Sequence, residues 1–289
     1  MKIVRTKAKL REGLAPARSE GRSVGLVPTM GALHEGHLSL LRAARERCDV
    51  VVMSLFVNPT QFRPGEDLAN YPRDEGRDAD LAAAEGVDLV YAPAVEEVYP
   101  EGFATSVEVG GGLTDVLDGD PSRRGPEHFR GVTTVVAKLF NTVQPDVAFF
   151  GQKDGQQAVV IRRMVRDLDF PVEIVVMPTL REPDGLALSS RNAYLEPAER
   201  ERATALNRAL QAAASVAASG ERSVSVALDA ARAELDAVGI EPEYLEARDA
   251  DGLTPVQSFN GRPVMVAVAA RVGKARLIDN VLIAGEPPA

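Results

Sequence analysis

Short apolar runs alternate with amphipathic segments over about the first 180 residues of the chain. Continuous apolar runs predict buried strands at residues 24–27, 50–57, 87–91, 147–150 and 172–177. Apolar residues at helical spacing predict helices at residues 36–47, 74–85, 132–143 and 156–167. This alternation predicts an α/β fold with a doubly wound, parallel, Rossmann-like sheet, in which ligands bind beyond the carboxyl ends of the strands.

The pattern changes after Tyr194. Pro197 can open a helix, and apolar residues at helical spacing continue to Gly220. Further elements are predicted as a helix at 224–238 and strands at 244–248, 264–272 and 275–283. Gly273-Lys274 separates the last two strands, which are predicted to form an antiparallel hairpin. We therefore predict a Rossmann-like domain over residues 1–180 and a smaller C-terminal α+β domain over residues 181–289.

Composition and charge narrow the class of protein. The formal net charge of the 289 residues is −9, which argues against an extended surface for nucleic acid or an anionic membrane. Cys48 is the single cysteine, and it falls at helical spacing with Leu38 and Leu41, so we expect a small core residue. No internal disulfide, no apolar signal segment and no run of transmembrane length are present, which together predict a cytoplasmic protein.

Two of the three histidines lie in one glycine-containing turn between a predicted strand and a predicted helix. They are His34 and His37; the third, His128, is expected to be a loop or core histidine. Such a turn supplies backbone N–H groups, and the start of a helix supplies the positive end of its dipole. We interpret the pair as a phosphate-binding element for ATP. Capping histidines are the alternative, and a metal pair is disfavoured because the chain has no cysteine cluster and only one further histidine.

Neutral amides follow the second predicted strand of the sheet. Asn58 and Gln61 lie on either side of a turn that Pro59 enforces. Amide groups at the carboxyl edge of a sheet can donate to or accept from a small polar ligand. Turn capping is the ordinary explanation for Asn58, and Gln61 is the stronger candidate for ligand binding.

Cationic and hydroxyl side chains occur in two further turns. Lys153 follows the strand at 147–150 and precedes a helix, which favours a phosphate contact over a solvated lysine. Of the next two polar residues, Gln156 and Gln157, we expect one to face the cleft and the other the solvent. The loop at 189–191 reads Ser-Ser-Arg and can wrap a triphosphate, although a hydrophilic interdomain loop would have the same composition.

Two long loops are candidates for a lid over the site. They span residues 63–77 and 110–126 and are rich in charged residues and turn formers. A mobile surface loop is the alternative for each of them. As the lid we favour the loop at 63–77, because it directly follows Gln61.

Taken together, these motifs resemble the pantothenate synthetase (pantoate–β-alanine ligase) family of the HIGH/KMSKS nucleotidyltransferase superfamily. The most specific stretch spans residues 28–37; residues 56–62 also agree, and residues 188–192 stand in for the KMSKS loop. The resemblance implies that the carboxylate of pantoate attacks the α-phosphorus of ATP, giving pantoyl adenylate and pyrophosphate. The amine of β-alanine then displaces AMP. It also implies Mg²⁺ with the ATP and a homodimer.

The resemblance further implies a set of site residues. The ATP-binding residues would be Met30, Gly31, Ala32, Leu33, His34, Glu35, Gly36, His37, Gly151, Gln152, Lys153, Asp154, Leu180, Leu188, Ser189, Ser190 and Arg191. The catalytic set would be His34, His37, Lys153 and Arg191, with His37 as proton donor. Pantoate and β-alanine would be held by Gln61, Gln157 and Asn58, and no residue is assigned to a metal. The domain at 181–289 would close over the ATP site.

Three positions depart from the family pattern. Gly155 replaces an aromatic residue, Gln152 a charged one and Leu188 a methionine. These changes concern adenine packing and local rigidity rather than the reaction.

Other function classes fit the residues less well. An enzyme that joins AMP to a phosphate would need basic residues where this chain has neutral amides. A fragment of an aminoacyl-tRNA synthetase would need a basic surface of tRNA size. A catalytically silent nucleotide-binding protein would not require both histidines together with Lys153 and the Ser-Ser-Arg loop.

Overall fold

The computed structural model describes residues 1–63, 68 and 71–284. The chain forms two compact units, one comprising Met1–Gly151 and Val160–Met177 and the other Gln152–Val159 and Pro178–Ala289. The division lies close to residue 178, and it also groups the short segment Gln152–Val159 with the second unit. The ligand-binding roles given to residues 1–180 and 181–289 stay predictions.

The first unit is built on a six-stranded parallel sheet of order β1-β4-β3-β2-β5-β6. Its strands are β1 Lys2–Val4, β2 Val24–Thr29, β3 Val50–Leu55, β4 Leu89–Tyr91, β5 Val147–Gly151 and β6 Glu173–Met177. The helices up to this point of the chain are α1 Lys7–Ser19, α2 Glu35–Arg47, α3 Glu75–Ala84, α4 Val95–Val98, α5 Pro126–Val143 and α6 Gly155–Asp167. The predicted doubly wound parallel sheet is confirmed.

The central strands are buried along nearly their whole length, as their continuous apolar sequences predict. Leu41 and Ala44 of α2 are fully buried in a core that includes Met53 of β3 and Phe149 of β5. Cys48 belongs to the same core, which confirms its prediction as a small core residue. Burial raises the pKa of the Cys48 thiol, so it remains protonated near neutral pH.

The winding direction of the sheet reverses beside β2. Strand β3 pairs with one side of β2, and β5 pairs with the other. Ligands of doubly wound sheets bind at such a switch point, beyond the carboxyl ends of the strands. Thr29, Leu55 and Gly151 are the last residues of the three strands, so the turns that follow them in the first unit begin at this edge.

Several element boundaries differ from the sequence-based predictions. The short strand β1 and the helix α1 were not predicted, because β1 has three residues and α1 buries only Leu10, Leu14 and Ala17. Helix α5 begins at Pro126 rather than at residue 132, since proline is favoured in the first turn of a helix. The helix predicted from Pro197 is divided at Thr204, whose hydroxyl donates to the carbonyl of Glu201 at 2.7 Å.

The second unit contains a three-stranded antiparallel sheet of order β7-β8-β9. Its remaining elements are α7 Pro197–Ala203, α8 Ala205–Ala218, α9 Val224–Asp236, β7 Pro242–Asp249, β8 Val264–Val272 and β9 Ala275–Ile283. The predicted hairpin is confirmed, with Val272 and Ala275 as the pair that closes its two-residue turn. Gly273 in this turn has φ of +57°, a conformation that glycine adopts without strain. Among the described residues, no helix has the length and apolarity needed to cross a bilayer.

Candidate active site

The turn after β2 is held by a buried carboxylate. Asp78 of α3 is 1% exposed, and its two oxygens accept hydrogen bonds from the backbone N–H groups of Ala32 and Leu33, both at 2.8 Å. The turn requires positive φ at Gly31 (+87°) and Ala32 (+51°). A Cβ at Gly31 would also lie 2.9 Å from Asp78 Oδ2, so the close approach of α3 depends on this glycine.

Both histidines of the turn cap the start of α2 through Nδ1. His34 is the N-cap and accepts from the Gly36 N–H at 3.2 Å, while His37 accepts from the His34 N–H at 3.3 Å. An imidazole that accepts through Nδ1 is neutral and carries its proton on Nε2. The ring centroids lie 4.1 Å apart. The pair therefore does serve as caps, and the predicted donor role falls to the two Nε2–H groups.

Removing the buried carboxylate should disturb the turn. We expect Asp78→Ala to lower the free energy of unfolding by about 2–4 kcal/mol, because the half-buried N–H of Ala32 and the buried N–H of Leu33 lose a charged acceptor. We also expect kcat/KM for ATP to fall, since the turn is predicted to bind ATP. Urea unfolding and steady-state kinetics measure the two effects. Asp80→Ala, at an exposed position of the same helix, is the control; equal losses in both variants would contradict the role of Asp78.

The neighbours of Asn58 determine the orientation of its side-chain amide. Asn58 is 1% exposed. Its Oδ1 accepts from the Tyr99 hydroxyl at 2.7 Å and the Thr60 hydroxyl at 2.9 Å, and its Nδ2 donates to the Gly131 carbonyl and to Gln61 Oε1, both at 3.1 Å. A carbonyl oxygen can only accept, so the amide nitrogen must face Gly131. Burial raises the pKa of Tyr99, which keeps its hydroxyl protonated as a donor.

Gln61 consequently presents its amide nitrogen. Its Oε1 is engaged by Asn58, and its Nε2 lies 3.2 Å from the sulfur of Met30, a weak acceptor in the turn after β2. The Gln61 carbonyl lies 2.7 Å from Nδ1 of His128, a buried residue of α5 that the sequence left open as a loop or core histidine. In the first unit, Gln61 and Asn58 thus lie together with Met30 of the histidine turn.

The turn that carries Lys153 belongs to the second unit. Gln152–Asp154 form a short 3₁₀ turn that leads into α6. The Lys153 ammonium lies 3.8 Å from the Asp154 carboxylate, and its side chain is 20% exposed. The two glutamines that follow differ from the expectation that one faces solvent: Gln156 is buried and Gln157 is half-buried.

Gly155 is closely surrounded by the side chains of its neighbours. A Cβ there would meet the sulfur of Met265 at 2.7 Å and the amide nitrogens of Asn280 and Gln152 at 3.0 Å. Met265 of β8 is 1% exposed and occupies this position in the core of the unit. An aromatic residue at 155 would therefore require the side chains of Met265, Asn280 and Gln152 to move from these positions.

The segment from Leu180 to Arg191 forms a hairpin held by hydrogen bonds and an ion pair, rather than a solvated linker. The Leu188 N–H donates to the Leu180 carbonyl at 3.0 Å, and Ser189 Oγ accepts from the Arg191 N–H at 3.3 Å. Arg181 forms a bidentate ion pair with buried Asp279 of β9, at 2.6 and 3.0 Å. The ion pair between Arg181 and Asp279 therefore attaches the hairpin to the sheet of the second unit.

Four polar residues that position these segments were not predicted: Asp78, Tyr99, Asp279 and Asn280. Asp279 and Asn280 are two successive polar residues between the apolar pairs Leu277-Ile278 and Val281-Leu282, and this break in the strand pattern could have indicated them. Tyr99 carries no comparable signal. Of the predicted lid loop at 63–77, residues 64–67 and 69–70 lie outside the described residues. The roles of the predicted site residues, the lid included, stay predictions.

The chain is similar to one protein family along almost its whole length. It matches the family described as Pantoate-beta-alanine ligase over residues 2–282. The pantothenate synthetase of Moorella thermoacetica is 58% identical over 284 residues, which cover 98% of this chain and 99% of that protein. Pantothenate synthetase 1 of Bradyrhizobium diazoefficiens is 53% identical over 287 residues, covering 99% of this chain and all of that protein (100%).

Solved structures of proteins with the same names are also similar to this chain. A crystal structure of pantothenate synthetase from Thermus thermophilus has a TM-score of 0.90 and 52% sequence identity, covering 97% of this chain and 99% of that chain. The pantoate-β-alanine ligase from Francisella tularensis, complexed with β-γ ATP and β-alanine, has a TM-score of 0.79 and 33% identity, covering 98% and 97%.

Proposed function

The chain belongs to the pantoate–β-alanine ligase family, and we propose that this enzyme joins pantoate to β-alanine in two steps that use ATP. In the first step, a carboxylate oxygen of pantoate forms a bond to the α-phosphorus of ATP. The bond from that phosphorus to the bridging oxygen breaks, and pyrophosphate leaves. In the second step, the β-alanine amine attacks the carbonyl carbon of pantoyl adenylate, the amide forms with loss of a proton, and AMP leaves.

One contact carries this proposal. The Gln61 amide nitrogen, a donor suited to an acid oxygen, lies 3.2 Å from Met30 in the turn proposed to bind ATP. An acid bound at Gln61 would thus lie beside the phosphate-binding turn. A neutral amide orients a carboxylate without the bidentate grip of an arginine, which would reduce its nucleophilicity. Gln157 is proposed to share this role, and Asn58 supports it by orienting Gln61.

Hydrogen-bond donors and cations are proposed to stabilise the negative charge on the phosphate groups. In the first unit these are the Nε2–H groups of His34 and His37 at the start of α2. In the second unit they are the cations of Lys153 and Arg191, with the hydroxyls of Ser189 and Ser190 as further donors. No covalent enzyme intermediate is needed, so positioning and charge stabilisation supply the rate.

Mg²⁺ is proposed to act with ATP rather than in a protein cage. Among the residues that the structure describes, no group of three or more His, Cys, Asp or Glu side chains could hold a metal ion. Mg²⁺ commonly keeps several waters and binds through substrate phosphates, which fits this donor set. The family resemblance also supports a homodimer, which light scattering after size-exclusion chromatography tests.

Isotope exchange tests the two-step reaction directly. With ATP, Mg²⁺ and pantoate but no β-alanine, we expect labelled pyrophosphate to enter ATP, because the first step reverses. Omission of pantoate should abolish the exchange. Exchange that does not need pantoate, or that begins only after β-alanine is added, would refute the pantoyl adenylate.

A further inference from the structure

The last strand of the second unit carries an asparagine whose side-chain amide hydrogen-bonds to one turn. Asn280 of β9 is 5% exposed. Its Nδ2 donates to the carbonyls of Gln152 at 2.8 Å and Lys153 at 3.0 Å, and its Oδ1 accepts from Gln152 Nε2 at 2.8 Å. Both donor hydrogens of the amide are thereby used, and the side chain is anchored in a buried strand.

These contacts hold both peptide groups that flank the Lys153 Cα. The Gln152 carbonyl belongs to the peptide before Lys153, and the Lys153 carbonyl belongs to the peptide after it. When both peptides are fixed, the φ and ψ angles of the residue between them are fixed as well, and with them the direction of its Cα–Cβ bond. Asn280 therefore determines where the Lys153 side chain begins.

Asparagine is suited to this task by its chemistry and by the space available. Two successive carbonyls require two donors from one short side chain. An ionised aspartate has no donor, and its negative charge would repel the carbonyl oxygens. Gly155 makes the approach possible, because a Cβ there would lie 3.0 Å from Asn280 Nδ2. Removal of Asn280 would leave two carbonyls near the start of α6 without this partner.

We propose that Asn280 is a positioning residue that acts on ATP chemistry through Lys153. The inference rests on the proposed function, in which Lys153 contacts the phosphates of ATP. Asn280 does not itself touch the nucleotide in this scheme. Asn280 affects the reaction through the position that it gives to the Lys153 ammonium. The effect of Asn280 should therefore disappear in a variant that lacks this ammonium.

A double-mutant cycle tests this dependence. We expect Asn280→Ala to lower kcat/KM for ATP in pantoate-dependent exchange by about 10-fold or more, because misplaced catalytic groups lose rate steeply. In a Lys153→Ala background, Asn280→Ala should lower kcat/KM for ATP by less than about 2-fold. A role confined to local packing would give the full loss again, since effects of independent sites add. Additive losses, or wild-type exchange in Asn280→Ala, would overturn the proposal.

Controls separate positioning from folding and from the proposed function. Asn260→Ala removes an exposed asparagine of the same unit and should change neither exchange nor urea midpoint. If Asn280→Ala does not fold, Asn280→Ser, which keeps one donor, replaces it in the same cycle. ATP affinity is also measured by titration calorimetry for the unmodified enzyme, the two single variants and the double variant. This measurement requires no pantoate. Absence of exchange in the unmodified enzyme would refute the proposed function, whereas additive ATP affinities would refute the role of Asn280.

Discussion

Lys153→Ala is expected to lower pantoate-dependent exchange of pyrophosphate into ATP by at least about 100-fold. The reason is the negative charge that gathers on the phosphoryl group as the α-phosphorus becomes five-coordinate. Loss of one preorganised donor to such charge typically costs roughly 2.7–4 kcal/mol. The Lys153 side chain is mostly buried, which strengthens its interaction with charge relative to a solvated lysine.

A matched lysine in the same unit provides the control for this substitution. Lys274, in the turn between β8 and β9, is exposed, and Lys274→Ala should leave the exchange rate unchanged. Lys153→Arg retains the charge but changes the geometry of the donors, so an intermediate loss is expected. Comparable rates in the alanine variants of Lys153 and Lys274 would remove Lys153 from the catalytic set.

His37→Ala is expected to lower the same exchange by at least about 100-fold. This substitution removes the Nε2–H donor proposed for the phosphate group, on the scale of one lost oxyanion donor. It also removes the Nδ1 atom that accepts from the His34 N–H and closes the capping box of α2. Stability and rate must therefore be separated before the loss is assigned to catalysis.

His37→Glu separates the two contributions. Glutamate at the third position of a helix can complete a capping box, but its carboxylate has no N–H to donate to a phosphate oxygen. We expect this variant to keep the thermal unfolding midpoint near that of the unmodified enzyme while its exchange rate remains low. An exchange rate restored by glutamate would mean that His37 serves the helix and not the reaction.

Local patterns in the sequence were sufficient for most of the architecture. The strands β2, β3 and β5 were predicted because continuous apolar runs suit strands that are buried on both faces of a parallel sheet. The hairpin of β8 and β9 was predicted with its residues and its Gly273-Lys274 turn, since turn chemistry is local. The positions of the histidine turn and of Lys153 after strands also followed from the order of elements along the chain.

The partners of the site residues were decided by the tertiary structure alone. Asp78 holds the histidine turn across 46 positions of sequence, and Asn280 holds the Lys153 carbonyl across 127. A residue's own type determines which hydrogen bonds it can make, but only the folded chain determines which buried group lies within reach. The sequence by itself therefore specified most of the elements and the chemistry of their turns, whereas the packed structure specified which donors and acceptors hold those turns in place.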